Sequence, residues 1–366
     1  MRILVAHAPH LLVRELIRHG HELLVAHFPG EWAEPPPEAA ACRFVTFPHR
    51  AKTNPRAIWQ MRRLIVTWRP DIVHAFSPRA LAAAVLATVL LPRPPAIMSF
   101  RGISSPPRWH DLADRFSFLS PRVGSHACES EAVAAGLVQA GIARGSCHVV
   151  YNCVAPAAVG GRDRREARAA LGLPADAFVV GSIASVRPVK GIDILLRAAL
   201  ECLELPDLRV VIIGHVKDAA VERLARDPRW QGRLTLPGFV PGAGGLAGAF
   251  DIFAMPSRAE GLCRALLEAM SQGICPVVSD AGGMKEVVRD GRDGLVVPRG
   301  DVLALAAAIQ HLHARPALIH AYGAEARERV AAMCSPAAMA ERVERAYRHV
   351  LGLRADPLPG AKGRAA

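Results

Sequence analysis

The chain has 366 residues, of which 51% are hydrophobic and 21% charged, and its formal net charge is +12. This composition is typical of a globular protein of two or three domains and excludes extensive disorder. With only 8 cysteines, a small disulfide scaffold is excluded as well. The longest uncharged apolar run, residues 80–91, is shorter than the ~20 residues of a spanning helix, and the apolar N-terminal run is too short for a signal peptide. We therefore expect a cytoplasmic protein with reduced cysteines.

Short apolar runs rich in β-branched residues alternate with helical patterns along the chain. The predicted strands are residues 3–6, 22–28, 43–47, 71–76, 96–100, 124–128, 148–151, 178–183, 209–213, 234–236, 251–255, 276–279 and 294–297. Several of them, such as residues 210–213, are apolar without alternation, which is typical of strands buried on both faces. The predicted fold class is therefore α/β, with parallel sheets covered by helices on both sides.

The alternation of strands and helices is interrupted once, in a stretch with Pro156, the glycine pair Gly160-Gly161 and a cluster of charges at 162–166. We interpret this stretch as the link between two similar α/β domains. The predicted divisions are a first domain (1–155), a linker (156–176), a second domain (177–335), a final helix (336–352) and a loose tail (353–366).

Two glutamates flank a strand-to-helix turn in the second domain. The strand ends at Pro256 and a helix is predicted to begin near Gly261 or Leu262, so that the amides of its first turn form an anion site. Glu260 lies at the mouth of that site, and Glu268 follows about 12 Å along the helix. This distance suits the sugar and the ribose of a nucleotide-sugar, whose hydroxyls donate well to carboxylates. Taken alone, the pair is explained more simply by a helix cap and a solvated side chain.

Two other turns follow predicted strands of the same domain. Arg187 and Lys190 would project from the carboxyl end of the domain's first strand, where open α/β sheets bind ligands. Two cations at that position suit a diphosphate, the arginine as a planar fork and the lysine as a point charge. In another turn, Gly282 and Gly283 allow the backbone to approach a ligand closely. Each of these turns by itself is explained equally well as an ordinary solvated or tight turn.

Together these motifs resemble those of the retaining glycosyltransferases of family four, which have a GT-B fold. The resemblance runs in order and spacing from about residue 178 to residue 301. It consists of Arg187 with Lys190-Gly191, the Glu260-x7-Glu268 pair, Gly282-Gly283 followed by Glu286, and the run at 290–297. It implies two Rossmann-like domains that face a central cleft, a sugar donor held mainly by the second domain, and a last helix that crosses back to the first.

The resemblance also implies roles for individual residues. Glu260 would contact the hydroxyls of the donor sugar, Glu268 would contact the ribose, and the two cations would neutralise the diphosphate. The predicted catalytic residues are Glu260, Arg187 and Lys190. The predicted donor-binding residues are Glu268, Gly261, Leu262, Cys263, Gly282 and Gly283. Because fixed cations and a helix N-terminus can stabilise the leaving diphosphate without a divalent metal, we expect no metal and no cofactor, the nucleotide-sugar being a co-substrate.

The first domain resembles the family less closely. Residues 148–152 look like the family's strand that ends in Asn-Gly, but Cys153 replaces the glycine. His7 and His10 lie where the family often has a Gly-Gly loop, and Arg101 lies where it often has a histidine. An arginine can bind a phosphate or the acceptor, but it is a poor proton acceptor because it stays charged. We assign these three residues to the acceptor side, with the acceptor left open.

A basic segment precedes these motifs. Residues 39–70 contain seven basic residues and no acidic one, with Trp59, Met61, Ile65 and Trp68 interleaved. The pattern indicates either a face for an anionic membrane surface or, more simply, a solvated helix with its aromatic side chains in the core. The expected partners are therefore a nucleotide-sugar, a glycan or lipid-linked acceptor, and an anionic membrane at the inner face of the cell.

The sequence thus predicts a retaining, metal-independent glycosyltransferase of cell-envelope polysaccharide biosynthesis. It would move a sugar from a nucleotide-sugar to a glycan, a lipid-linked saccharide or a lipopolysaccharide-type acceptor. Two alternatives stay open: a sugar-nucleotide epimerase or hydrolase on the same fold, and a donor-binding protein without turnover. A nucleic-acid-binding role is disfavoured, because the basic residues are dispersed and no nucleic-acid motif occurs.

Overall fold

A computed structural model describes residues 1–30, 42–47, 54–103, 105–108, 110–154 and 163–353 of the chain. Some of the predicted features fall outside these residues. They are Arg50 and Lys52 of the basic segment, residues 156–162 of the predicted linker, and the predicted loose tail apart from Leu353.

In the described part of the first half, seven strands form one parallel sheet. The strands are β1 (Arg2–Ala6), β2 (Glu22–His27), β3 (Arg43–Thr46), β4 (Ile72–Ala75), β5 (Ala96–Arg101), β6 (Val123–Cys128) and β7 (Cys147–Val149). The helices between them are α1 (His10–Arg18), α2 (Pro55–Trp68), α3 (Pro78–Thr88), α4 (Leu112–Arg115) and α5 (Glu131–Gln139). The strand order is β3-β2-β1-β4-β5-β6-β7, so the chain changes direction across the sheet between β1 and β4.

Within residues 163–353, six strands form a second parallel sheet of order β10-β9-β8-β11-β12-β13. The strands are β8 (Phe178–Ile183), β9 (Leu208–Ile213), β10 (Leu234–Gly238), β11 (Ile252–Met255), β12 (Cys275–Ser279) and β13 (Leu295–Val297). The helices are α6 (Arg164–Ala170), α7 (Ile192–Leu200), α8 (Ala219–Leu224), α9 (Arg264–Ser271), α10 (Met284–Val287), α11 (Val302–His313), α12 (Pro316–Met333) and α13 (Pro336–Val350). Here the direction changes between β8 and β11, and ligands of open α/β sheets bind outside such a switch point.

The predicted α/β class with parallel sheets is confirmed, and each predicted strand has a counterpart. Strand β9 shows why the apolar run without alternation was informative. Val210 and Ile212 belong to the core on one face of the sheet, and Val211 and Ile213 belong to the core on the other face. All four side chains are at most 1% exposed, because helices cover both faces of the sheet.

The predicted start of the helix after β11 is wrong. Helix α9 begins at Arg264, and Cys263 before it has an extended backbone. Leu262 and Cys263 are each only 4% exposed and belong to the core of the second half. Because burying both adjacent side chains keeps this stretch extended, the free amides of the first turn lie later in the chain than the sequence indicated.

The last helix, α13, packs against the first half of the chain. Met339, Val343 and Tyr347 lie in the same buried cluster as residues of β1 and α1. The Tyr347 hydroxyl lies 2.8 Å from Nδ1 of the buried His74. The crossing helix is therefore held to the first half by apolar packing and by a buried polar contact.

Part of the predicted linker is helical and packs on the second half. Helix α6 buries Ala167 in the core of that half, and Arg168 donates to Oδ2 of Asp251 at 2.9 Å. The limits of the two domains stay a prediction.

None of the described helices is by itself long and apolar enough to cross a membrane. Only α11 combined with the stretch Pro316–Val350, a pair bent by 105°, meets that test, and on length and composition alone.

Candidate functional site

Three turns meet at the carboxyl ends of the neighbouring strands β8, β11 and β12. Gly191 has a positive φ of 65° and lies against the carbonyl group of Pro256. Gly282 has a positive φ of 55° and lies against the carbonyl group of Glu260. The Gly283 amide donates to the Gly261 carbonyl at 2.7 Å. A side chain at Gly191 or Gly282 would clash with these carbonyls, so glycine is required where the turns touch.

Arg258 fixes two of these turns to each other. Its two terminal nitrogens donate to the two carboxylate oxygens of Asp193, each at 2.7 Å, and Nη1 also donates to the Pro188 carbonyl at 2.7 Å. Burial by itself would raise the pKa of Asp193, but the hydrogen bonds and charge of Arg258 outweigh it and hold that pKa below its ordinary value. Sequence reasoning missed this pair, although Arg258 lies two residues before Glu260 in the same turn.

Lys190 and Glu260, predicted to serve the diphosphate and the sugar, pair directly with each other. The lysine Nζ lies 2.5 Å from Glu260 Oε2, and the side chains are 16% and 13% exposed. Ser257 Oγ adds a contact of 3.4 Å to the same oxygen. The two predicted catalytic side chains therefore share one small site that is largely shielded from solvent.

Arg187, the other predicted cation, is exposed at the rim of the site. It caps the short 3₁₀ turn Pro188–Lys190, and its guanidinium forms no ion pair or hydrogen bond with the described residues. Its charge is thus available to an anion that approaches from solvent.

Glu268 lies on α9, away from the Lys190–Glu260 pair. Its Oε1 accepts a hydrogen bond from Nε of Arg264 at 3.0 Å, and its side chain is 21% exposed. A Cβ at Gly244, after β10, would lie 2.6 Å from Glu268 Oε2. The carboxylate therefore faces the loop that follows β10, on the same edge of the sheet.

An exposed aromatic pair lies at that edge too. The rings of His215, after β9, and Phe239, after β10, are stacked with centroids 5.2 Å apart and an interplanar angle of 9°. Phe239 is 62% exposed, which leaves much of its surface to water. Sequence reasoning missed this pair, because the two residues come from different strands.

The other predicted donor-binding residues differ in their surroundings. Gly261 lies against the carbonyl of Gly102 in the first half, and Gly283 lies against Ser130. The Cys263 thiol is buried, which raises its pKa to about 12, so it stays protonated. These positions therefore contribute close backbone approach and packing, and they bring the second half onto the first.

Glu286, part of the family motif, also bridges the two halves. Its Oε2 accepts from the Glu131 amide at 2.8 Å and its Oε1 from the Ala132 amide at 3.0 Å, at the N-terminus of α5. The Tyr151 hydroxyl donates to Oε2 at 3.1 Å. A carboxylate at a helix N-terminus is favoured by the free amides and by the helix dipole, so this contact stabilises the approach of the halves.

Glu129 is a buried carboxyl at the same interface, and sequence reasoning did not single it out. It directly follows β6, is 6% exposed, and its Oε1 accepts from Nδ2 of Asn152 at 2.6 Å. Burial raises its pKa to about 8; Asn152 and Lys190 oppose this shift, and Glu260 adds to it. An acidic residue at the carboxyl end of a predicted strand was the available signal.

The predicted acceptor-side residues lie in two neighbouring cavities. His7 and His10 line one of about 470 Å³, together with Asn152 and with Arg264 from the second half. His7 has a φ of 59°, stacks on Phe28 with ring centroids 3.8 Å apart, and lies 2.8 Å from Ser77 Oγ. This cavity lies between the halves.

Arg101 lines a separate cavity of about 530 Å³ in the first half. The side chain is buried, and Nη2 donates to the Ser105 carbonyl at 2.6 Å while the guanidinium lies 4.6 Å from the Phe118 ring centre. The stacked rings of Phe76 and Phe100 line both cavities. The structure therefore places Arg101 in a different cavity from His7 and His10, and the rings of Phe76 and Phe100 are common to the linings of the two cavities.

The described residues contain no group of three or more His, Cys, Asp or Glu side chains that could hold a metal ion. Whether a metal or cofactor takes part stays a prediction.

Family comparisons agree with this architecture. The model described as "Glycosyltransferase Family 4" matches residues 8–158, and the model described as "Glycosyl transferases group 1" matches residues 163–329. The chain belongs to the family-four glycosyltransferases. Among curated relatives of this family-four member, D-inositol 3-phosphate glycosyltransferases of Mycobacterium bovis and Mycobacterium tuberculosis are 36% identical over 158 residues. The match covers 41% of this chain, and the chain spans about a third (32%) of the length of those relatives.

Solved structures of other proteins share the fold of this family-four chain. HepE of Anabaena in complex with UDP has a TM-score of 0.75 at 19% identity, over 95% of this chain and 99% of that one. Sucrose-phosphate synthase of Thermosynechococcus elongatus has a TM-score of 0.76 at 18% identity, over 96% and 99%. At such identities the likeness concerns the fold alone, and the predicted GT-B arrangement of two Rossmann-like halves is confirmed.

Proposed function

We propose that this protein is a glycosyltransferase that uses a nucleotide-sugar as donor. The observation that carries the proposal is the meeting of three family motifs at the β8/β11 switch point, where Lys190 contacts Glu260 directly. A nucleoside diphosphate-sugar offers an anion for Lys190 and Arg187 and hydroxyls for Glu260. The curated relatives carry the name of a glycosyltransferase, and HepE was solved with UDP.

The nucleotide would lie along α9 toward the loop after β10. Glu268 accepts from the ribose hydroxyls, and the base stacks on the exposed ring of Phe239. Two observations support this orientation: the contact of Glu268 with Gly244, and the His215–Phe239 stack on the same sheet edge. Aromatic stacking of a base contributes about 1–3 kcal/mol.

The proposed reaction retains the anomeric configuration and needs no metal. The acceptor hydroxyl oxygen forms a bond to the anomeric carbon on the face from which the diphosphate departs. The bond from that carbon to the diphosphate oxygen breaks, and the diphosphate takes the hydroxyl proton. Arg187 and Lys190 stabilise the negative charge that grows on the leaving group, and the amides at the start of α9 add to this.

The acceptor is proposed to be a glycan, a lipid-linked saccharide or a lipopolysaccharide-type saccharide at the cytoplasmic face of the membrane. The cavity of His7 and His10 opens between the halves, as an acceptor site requires. Stacked aromatic rings such as Phe76 and Phe100 suit the apolar face of a sugar.

The proposal includes contact of the basic segment, residues 39–70, with an anionic membrane. In the basic segment Met61, Ile65 and Trp68 lie in the core, as the simpler interpretation expected. Trp59 is 63% exposed, however, and the Arg63 guanidinium lies 5.6 Å from its ring centre. An exposed aromatic ring beside basic side chains is typical of a surface that binds anionic lipid.

The first experiment measures thermal shifts with UDP, GDP, ADP, dTDP and CMP, with and without magnesium. We expect one nucleotide to raise the unfolding temperature independently of magnesium. Arg187→Ala should abolish the shift, and Arg223→Ala, an exposed arginine on α8, should leave it unchanged. No shift with any nucleotide would count against the donor site.

Products then separate transfer from the two alternatives. The matching nucleotide-sugar is incubated with and without membrane and glycan extracts, and the anomeric configuration of the product is determined. Sugar attached to an acceptor supports the proposal. Epimer or free sugar formed without acceptor indicates an epimerase or hydrolase, and binding with no product indicates a donor-binding protein.

Vesicle sedimentation tests the membrane contact. We expect the protein to sediment with phosphatidylglycerol vesicles more than with phosphatidylcholine vesicles. Trp59→Ala should reduce this, whereas Leu303→Ala, which removes a 71% exposed side chain on the second half, should not. Equal sedimentation with both lipids would contradict an electrostatic membrane contact.

A further inference from the structure

The Glu129 carboxyl is supplied by the first half and lies at the sugar end of the proposed donor site. A Cβ added to Gly102 would clash with its Oε2, and a Cβ at Gly261 would lie 3.2 Å from that oxygen. Gly261 directly follows Glu260. The missing side chains of these two glycines, one from each half, therefore leave room for a single carboxyl oxygen between the halves.

The two oxygens of this carboxyl have different surroundings. Oε1 accepts a hydrogen bond from Nδ2 of Asn152 at 2.6 Å. Oε2 has no hydrogen-bond partner within the described ranges of the chain, although the residue as a whole is only 6% exposed. A carboxyl in this position has one oxygen held in place and the other at the contact between the halves, beside Gly102 and Gly261.

The charges around Glu129 favour its neutral form. Lys190 is the nearby cation, and it is already paired with Glu260 at 2.5 Å. The Glu129 backbone amide donates a hydrogen bond to the Arg101 carbonyl at 3.0 Å. The Arg101 guanidinium, however, contacts the Ser105 carbonyl and the Phe118 ring instead of the Glu129 carboxyl. An ionised Glu129 would thus be a second carboxylate near Glu260, with Lys190 already paired to the first. Burial, with a smaller contribution from Glu260, raises the pKa of Glu129 to about 8.

We propose that Glu129, in its protonated form, is a further substrate-binding residue that donates a hydrogen bond from Oε2 to a hydroxyl of the donor sugar. A sugar hydroxyl both donates and accepts, so the same hydroxyl can accept from Glu129 and donate to the Glu260 carboxylate. Glu129 thereby lets the sugar join the two halves of the cleft. The inference rests on the proposed function.

Two substitutions at Glu129 distinguish loss of the hydrogen bond to the sugar from a general effect on folding. Glu129→Gln keeps both contacts, because its amide oxygen accepts from Asn152 and its amide nitrogen donates to the cleft, and it cannot ionise. Glu129→Ala removes both. Glu222→Ala, an exposed carboxylate on α8, is the matched control.

The affinities for UDP-glucose and UDP are measured by calorimetry at pH 7 and from pH 7 to pH 9.5. We expect Glu129→Ala to weaken UDP-glucose binding about tenfold, as the loss of one hydrogen bond predicts, and to change UDP binding less than about twofold. Glu129→Gln and the control should bind both as the wild type does. Wild-type affinity for UDP-glucose should fall as the pH rises through about 8, and that of the Gln variant should stay constant.

Urea unfolding from pH 5 to pH 9 tests the proton without any ligand. A carboxyl whose pKa is raised in the folded state makes the protein less stable as the pH rises from the ordinary value toward the folded value. The Gln variant should lack this part of the slope. The inference is overturned if Glu129→Ala binds UDP-glucose normally, or if folded Glu129→Gln binds it as poorly as Glu129→Ala does. It is overturned as well if the stability of Glu129→Gln falls with pH as steeply as that of the wild type. Failure of the proposed function looks different, because then neither the wild type nor any variant binds UDP-glucose or any nucleotide of the thermal-shift series.

Discussion

Lys190 and Glu260 form an ion pair of 2.5 Å at the carboxyl ends of β8 and β11. The proposed function gives these residues to different parts of the donor, the diphosphate and the sugar. On that proposal the lysine exchanges the glutamate for a phosphate, wholly or in part, when the donor binds. This exchange keeps the cation and the carboxylate in position before the substrate arrives, which is the preorganisation that electrostatic catalysis needs.

The exchange predicts opposite effects of Glu260→Gln on binding and on turnover. UDP should bind about three- to tenfold more tightly, because Lys190 no longer has a carboxylate competing for it. The rate of sugar transfer should fall about a hundredfold or more, since the contact to the sugar hydroxyls loses its charge. Calorimetry with UDP and initial transfer rates measure the two effects, with Glu222→Gln as control. Weaker UDP binding or undiminished turnover would contradict the assignment.

A methyl group at Gly261 should prevent the halves from meeting. Its Cβ would clash with the Gly102 carbonyl of the first half, so Gly261→Ala should lose transfer activity and adopt a more open shape, with each half still folded. Solution X-ray scattering should show a larger radius of gyration, and circular dichroism an unchanged helix content. Gly145→Ala is the matched control, because nothing lies within 4 Å of a Cβ at that position. An active Gly261→Ala variant of unchanged radius would contradict this contact.

The Arg258–Asp193 pair should contribute to stability in a pH-dependent way. Because the pKa of Asp193 is held below its ordinary value of 3.8, this contribution is present above that pH and is lost as the pH falls through the folded value. Arg258→Ala should cost about 1–2 kcal/mol at neutral pH, a modest value because the arginine is partly exposed.

A double-mutant cycle with Asp193→Asn isolates this pair. Urea unfolding at pH 7 should give a coupling free energy of about 1 kcal/mol, and the same cycle below the folded pKa of Asp193 should give much less. Equal coupling at both values of pH would show that the charge of Asp193 does not matter.

Glu286 should hold the N-terminus of α5 against the second half. Glu286→Ala leaves the Glu131 and Ala132 amides without their carboxylate, at a cost of about 0.5–2 kcal/mol. These two amides should exchange hydrogen faster with solvent, whereas amides in the core of β8 should be unaffected. Tyr151→Phe removes only the phenol contact of 3.1 Å and should have a smaller effect. Unchanged exchange at α5 would show that the amides have other acceptors.

Local pattern predicted much of the fold. The strands were found from their apolar runs, because a strand covered on both faces must be apolar at every position, as Val210 and Ile212 on one side and Val211 and Ile213 on the other illustrate. The start of α9 was misplaced by two or three residues, since nothing local marks Leu262 and Cys263 as core residues. Their burial depends on helices and strands far along the chain.

The α/β class, the parallel sheets and the motifs of the second half could be predicted from local pattern, because periodicity and turn chemistry are local properties of the chain. Which polar side chains meet depends instead on packing. Lys190 pairs with Glu260, and Glu286 caps a helix of the other half. Glu129 lies buried beside Gly102 and Gly261. Partners separated by 70 or 155 residues are chosen by the packing of the sheets and helices that carry them, and a single sequence contains no local mark of that choice.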